Sequence, residues 1–162
     1  MPTDYLRWEY TQPFPILNNI LYLSGNTAAD GNGLYKYNAA NSDGLVLVKD
    51  LTPFPDPMVI LPGETRVVGN KLYMKVISSI GGRHDELWST LGDDASTVLV
   101  KSFAGEPDAF MLSLKNGYGT LYFVKNDQVY GGELWKSDGT TAGTVVVRDV
   151  NTGPKTSQPW YI

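Results

Sequence analysis

The chain has no cysteine. Disulfides, thiol catalysis and Cys-ligated zinc are therefore excluded. It has one histidine, His84, which leaves acid–base chemistry without an obvious second partner. No run approaches the roughly 18 apolar residues of a membrane-spanning helix. No basic run is present either: 13 Lys and Arg stand against 17 Asp and Glu, for a net charge of −4 and a pI near 4.9. That leaves no electrostatic footprint for nucleic acid and no cationic amphipathic segment for anionic lipid. The N-terminal residues Met-Pro-Thr-Asp-Tyr-Leu-Arg-Trp-Glu hold no apolar core of signal-peptide length. The glycine-rich phosphate loop, the zinc-binding His-Glu-x-x-His helix and the Gly-x-Ser-x-Gly elbow are all missing. The adjacent Asp93 and Asp94 do not make the separated, opposed carboxylates of a glycosidase. The expectation is a protein without catalytic residues, metal or cofactor.

What is present is repetition. Three segments recur in the same order at a period of about fifty residues. The first is a strand with Tyr inside: Ile20-Leu21-Tyr22-Leu23, Leu72-Tyr73-Met74 and Leu121-Tyr122-Phe123-Val124. The second is Leu followed by an aromatic: Leu34-Tyr35, Leu87-Trp88 and Leu134-Trp135. The third is a β-branched run closed by a base: Leu45 to Lys49, Thr97 to Lys101 and Thr144 to Arg148. A further short apolar segment precedes each Tyr strand. The copies span approximately 13–52, 57–104 and 108–151. Residues 1–12 form an N-terminal extension, and 157–162 repeat the first strand once more.

Each copy therefore reads as four short strands in an up-and-down meander. No sustained period near 3.6 is present, and Gly, Pro, Asn and Asp interrupt the chain every eight to twelve residues. The strand runs are apolar at consecutive positions, as in strands buried on both faces. The expected fold is all-β: a β-propeller-like repeat of three four-stranded antiparallel blades. Three blades are too few for a closed propeller. Completion by oligomerisation, or a place in a longer array, would solve this, and a β-trefoil is the alternative.

The third copy has the clearest turn, Ser137-Asp138-Gly139-Thr140-Thr141-Ala142-Gly143. Gly139 and Gly143 can take positive φ without a Cβ clash, and Asp138 can accept hydrogen bonds from amides of its own turn. Asp43 and Asp93 are the corresponding turn acids of the other copies. A Ca²⁺ site would need several converging oxygens, which one Asp per turn does not supply. The stretch Glu133-Leu134-Trp135-Lys136-Ser137-Asp138-Gly139-Thr140 resembles the bacterial ELWxxDGT repeat. The likeness is partial in copy two and weak in copy one. It implies a propeller-like fold with an Asp-box-type hairpin and, loosely, a cell-surface or extracellular setting. It brings no defined activity.

Candidate ligand residues are Tyr35, Trp88, Trp135, Tyr130, Arg83 and His84. The repeated rings suit either packing between sheets or stacking on sugar faces. The loop around Arg83 and His84 reads as a solvated polar loop. The expected function is a non-catalytic binding or adhesion module, with a glycan as its ligand. The alternatives are a self-associating structural repeat, forming a homodimer or other homo-oligomer, and an enzyme of unknown type.

Overall fold

The computed structural model describes residues 14–27, 31–37, 44–52, 59–79, 81–106, 109–157 and 159. It is all-β, with no helix among the described residues. Copy one forms β1 (Ile16–Leu17), β2 (Ile20–Thr27), β3 (Gly31–Tyr37) and β4 (Leu45–Thr52). Copy two forms β5 (Val59–Val68), β6 (Lys71–Ser78), β7 (His84–Thr90) and β8 (Val98–Ser102). Copy three forms β9 (Phe110–Gly117), β10 (Thr120–Asp127), β11 (Gly131–Ser137) and β12 (Val145–Val146). Each copy is one four-stranded antiparallel meander, and no described sheet mixes strands from two copies. The strand exchange of a trefoil barrel is thus not present among the described residues.

Local chemistry explains the hairpins. Asn18 and Asn19 both adopt positive φ (52° and 62°), which gives the turn a twist matching that of β1 and β2. Tyr118 and Gly119 do the same between β9 and β10. The registers agree from copy to copy: Tyr22 faces Lys36, Tyr73 faces Ser89, and Tyr122 faces Lys136. The fourth strand is displaced by a bulge just before the aromatic, between Leu34 and Tyr35 and again between Leu87 and Trp88.

The sheets stack face to face. Side chains alternate along a strand, so one sheet can bury both faces. Sheet two does this. Leu72, Met74 and Val76 join Leu17, Tyr22, Leu34, Val48 and Leu51 of sheet one. Tyr73, Leu87, Val100 and Phe103 join Met111, Leu114, Leu121, Phe123 and Trp135 of sheet three. Consecutive apolar residues in β6 are the sequence record of that double burial.

Candidate functional site: the joints between sheets

The repeated aromatics divide into two sets by the face they occupy. Tyr22 and Tyr73 point forward, each into the next sheet. Trp88 and Trp135 point backward, toward the preceding one. Tyr35 occupies the backward position in sheet one. Its ring lies against Gly25 and Gly33, and a Cβ at Gly25 would stand 3.0 Å from it. Trp135 is 7% exposed, stacks on Phe123 and meets Phe103 and Tyr130 edge-on. Tyr35, Trp135 and Tyr130 are therefore held by packing rather than presented as flat open faces.

Each forward Tyr reaches a turn of the next sheet. A Cβ at Gly92 would lie 2.4 Å from the Tyr22 hydroxyl, and one at Gly139 would lie 2.6 Å from that of Tyr73. Both glycines also have positive φ (115° and 89°). Glycine is required there twice over, for conformation and for approach. Burial, followed by the nearby carboxylates of Asp93 and Asp138, raises both phenol pKa values, so both hydroxyls stay protonated. Basic side chains complete the grip. Lys36 donates to the Gly92 carbonyl (3.2 Å), Lys49 pairs with Asp94 (2.9 Å), and Lys101 donates to the Thr144 carbonyl (3.1 Å).

The two described turns share one hydrogen-bond frame. Thr90 Oγ1 accepts from the Gly92 amide, as Ser137 Oγ does from Gly139. Thr97 and Thr144 lie buried at the same place, bonded to the carbonyls of Asp93 and Thr140. By this frame Asp93 is the counterpart of Thr140, not of Asp138. Asp93 Oδ1 accepts from the Ser96 amide, and Thr140 Oγ1 accepts from the Gly143 amide. Asp138 Oδ1 accepts from the Thr140 amide and hydroxyl. Those bonds hold its pKa below the usual range, as bonds from Ser96 do for Asp93. The expected one-to-one match of turn acids is corrected accordingly. Of the two turn glycines, Gly139 takes positive φ and Gly143 does not. Gly143 is needed because a Cβ would fall 2.1 Å from the Asp138 carboxylate. Asp43 lies outside the described residues.

His84 is not in a solvated loop. It opens β7 and is buried, because its pairing with Ser78 carries it into the sheet. Its Nδ1 lies 2.7 Å from the Gly82 carbonyl oxygen and its Nε2 3.2 Å from Glu86 Oε1. The other oxygen of Glu86 accepts from Trp88 Nε1 at 2.8 Å. Glu86 is thus a bridge that fixes His84 and Trp88. Arg83 is exposed, and the structure does not gather it with the rings.

Sequence reasoning missed the buried charges of the second joint. Lys75 donates to the Met111 carbonyl (2.7 Å) and pairs with Asp85 (3.2 Å), while Asp85 accepts from the Met111 amide (2.6 Å). Together they hold both polar groups of one peptide residue where the chain enters sheet three. Lys125 is paired with Glu106 and Asp127, and its ammonium sits 4.8 Å from the Trp135 ring and 5.0 Å from Phe103. Burial pushes the Asp127 pKa up, but bonds from Lys125 and from the Tyr130 and Val129 amides outweigh it and leave it lowered. Glu64 shows the reverse: burial dominates and raises its pKa, and Oε2 has no hydrogen-bond partner. A lysine inside an apolar strand run was the available signal. Among the described residues, no group of three or more His, Asp or Glu side chains is placed to hold a metal ion.

No family model, curated protein or solved structure matches the chain.

Proposed function

We propose that the chain is a non-catalytic structural module, whose three sheets are successive blades of a propeller-like array and whose work is assembly. One observation carries this reading. The same joint is built twice, with a forward Tyr, a receiving Gly turn and the base of the fourth strand, Lys49 on Asp94 and Lys101 on the Thr144 carbonyl. A contact made twice with the same parts is an architectural unit, not a ligand site. The likeness of copy three to the ELWxxDGT repeat supports it.

A glycan-binding or adhesive role has less support. Tyr22, Tyr73, Trp88 and Trp135 are occupied with packing, and the Trp88 N–H is already bonded to Glu86. A sugar would need at least one ring face and one donor free.

Native-state hydrogen exchange tests the assembly reading. Gly139→Ala damages the joint between sheets two and three. Amides of both sheets are expected to lose protection together. Loss confined to the mutated turn would overturn stacking as the organising principle. Binding on a glycan array that vanishes in Trp88→Ala would revive the carbohydrate role.

A further inference from the structure

Sheet three carries an unused copy of the grip. The forward face of sheet one holds sheet two with Tyr22, Lys36 and Lys49. The register places Tyr122 and Lys136 opposite each other on the forward face of sheet three, as Tyr22 and Lys36 are in sheet one. Arg148 stands at the place of Lys49, two positions beyond Val146, the partner of Trp135, as Lys49 stands two beyond Leu47, the partner of Tyr35. Lys136 and Arg148 are exposed, and none of the three makes a hydrogen bond or ion pair among the described residues. Val124 on the same face is already buried, so the free part is the outer half, bounded by Tyr122, Lys136, Arg148 and Val145.

The complementary surface is on the same chain. The backward face of sheet one is the repeat equivalent of the faces that receive each grip. Its outer corner is Tyr37 paired with Leu45, 41% and 57% exposed, at the place of Thr90 and Thr97. Between them the sequence runs Asn38-Ala39-Ala40-Asn41-Ser42-Asp43-Gly44, with an acid and no base. In sheet two the corresponding turn supplies Asp94 to Lys49. Sheet three thus carries a basic grip, and the sequence between β3 and β4 carries an acid and no base.

We infer that Tyr122, Lys136 and Arg148 take hold of sheet one in a second copy of this chain, a proposal that rests on the stacked-blade reading. Two copies joined at both ends make six blades, within the range at which propellers close. A heterologous joint that closes on itself gives a finite pair rather than a filament.

Sedimentation of the full chain across the micromolar range is the test. The expected species has twice the 17.8 kDa of one chain, and dissociates more readily in high salt. Lys136→Glu with Arg148→Glu is expected to weaken pairing at least tenfold, as is Leu45→Glu on the opposite face. These side chains are exposed, and an unchanged far-ultraviolet circular dichroism spectrum verifies that each variant folds. Mixing the two variants regenerates one sound joint, and a mixed pair is expected where neither variant pairs alone. A single-chain mass for the unmodified protein, pairing that ignores both substitutions, or masses climbing past the pair would each overturn the proposal. The stacked-blade reading is judged separately by the exchange response to Gly139→Ala within one chain.

Discussion

The two joints are built on the same repeat positions but differ in what they bury. Between sheets one and two the central positions are Ser24 and Val76, and the cluster around them is aliphatic and aromatic. Between sheets two and three the same positions are Lys75 and Lys125, each nearly inaccessible and each neutralised by carboxylates. The first joint draws on apolar burial, at roughly 25 cal/mol per Å². The second exchanges part of that for ion pairs, whose desolvation cost offsets most of their attraction. What it gains is direction: Lys75 and Asp85 together grasp the carbonyl and amide of Met111. The repeat fixes the geometry of stacking and leaves the chemistry of each interface free to differ.

Making the second joint resemble the first has the largest expected effect. Lys125→Val places the residue of sheet two in sheet three and leaves Asp127 buried without its ammonium partner. Removing one member of a buried pair costs about 3–5 kcal/mol. Adding Asp127→Ser, the counterpart of Ser78, removes the stranded carboxylate and is expected to restore most of the loss. Urea midpoints of the two variants check this. The pH dependence follows from the same residue. Asp127 is held below its ordinary pKa in the folded protein, so its contribution is complete above the unfolded value of about 3.9 and is lost as pH falls through the lower folded value. The double variant is expected to lack that part of the acid limb.

Next in size is the Tyr–Gly contact shared by both joints. Gly139→Ala forces a side chain into positive φ and against the Tyr73 hydroxyl, at a cost of about 1–3 kcal/mol. Gly92→Ala is expected to match it, with Tyr22 as the obstacle. Tyr73→Phe removes the oxygen but not the backbone strain. A double-mutant cycle is therefore expected to show positive but incomplete rescue, about 0.5–1 kcal/mol. Full additivity would mean that the hydroxyl and the glycine do not meet.

The larger features of the fold were legible in the chain because the copies annotate one another. Consecutive apolar residues in Leu72-Tyr73-Met74 signal burial on both faces, and sheet two has both faces covered. The spacing of Tyr and Trp marked equivalent strands. What spacing does not carry is the direction in which each ring points. That depends on pleat parity across a bulge, so Tyr22 and Trp88 turn out to face each other's sheets. His84 was misplaced because a Gly-Gly-Arg sequence reads as a loop, while the strand begins one residue later. The turn acids were misaligned because Asp93 performs the work of a threonine hydroxyl. The buried lysines were passed over because charge inside a strand usually means solvent, and here two carboxylates and two aromatic rings replace it.

Glu64 sharpens the contrast further. It lies near Lys75 and Asp85, yet burial raises its pKa and one oxygen has no partner. Glu64→Gln is expected to stabilise the protein near neutral pH by about 1 kcal/mol, the lower end of the cost of a buried unsatisfied group. The sign is opposite to that of Asp127. A carboxyl whose folded pKa is raised burdens the fold above that value and ceases to do so below the unfolded value of about 4.3. The advantage of the glutamine variant should shrink as pH falls through that window. An advantage that persists at lower pH would assign it to packing.

The smallest effect comes from exchanging turns, and it tests whether two chemistries serve one frame. In sheet two Ser96 Oγ accepts from the Leu91 and Asp93 amides and fills the corner that the Asp138 carboxylate occupies in sheet three. A Cβ is tolerated at Ser96 because no carboxylate stands at Leu91. Gly143 is required because one stands at Asp138. Ser96→Gly alone vacates the corner and is expected to lower the thermal midpoint. Adding Leu91→Asp and Asp93→Thr installs the full set of sheet three and is expected to bring the midpoint back to that of the unmodified chain. The single change is thus more harmful than the triple one, an order that additive surface substitutions would not produce. If the triple variant is instead the least stable, the two turns are not interchangeable. The shared frame of Thr90 with Thr97, and Ser137 with Thr144, would then be coincidence rather than design of the repeat.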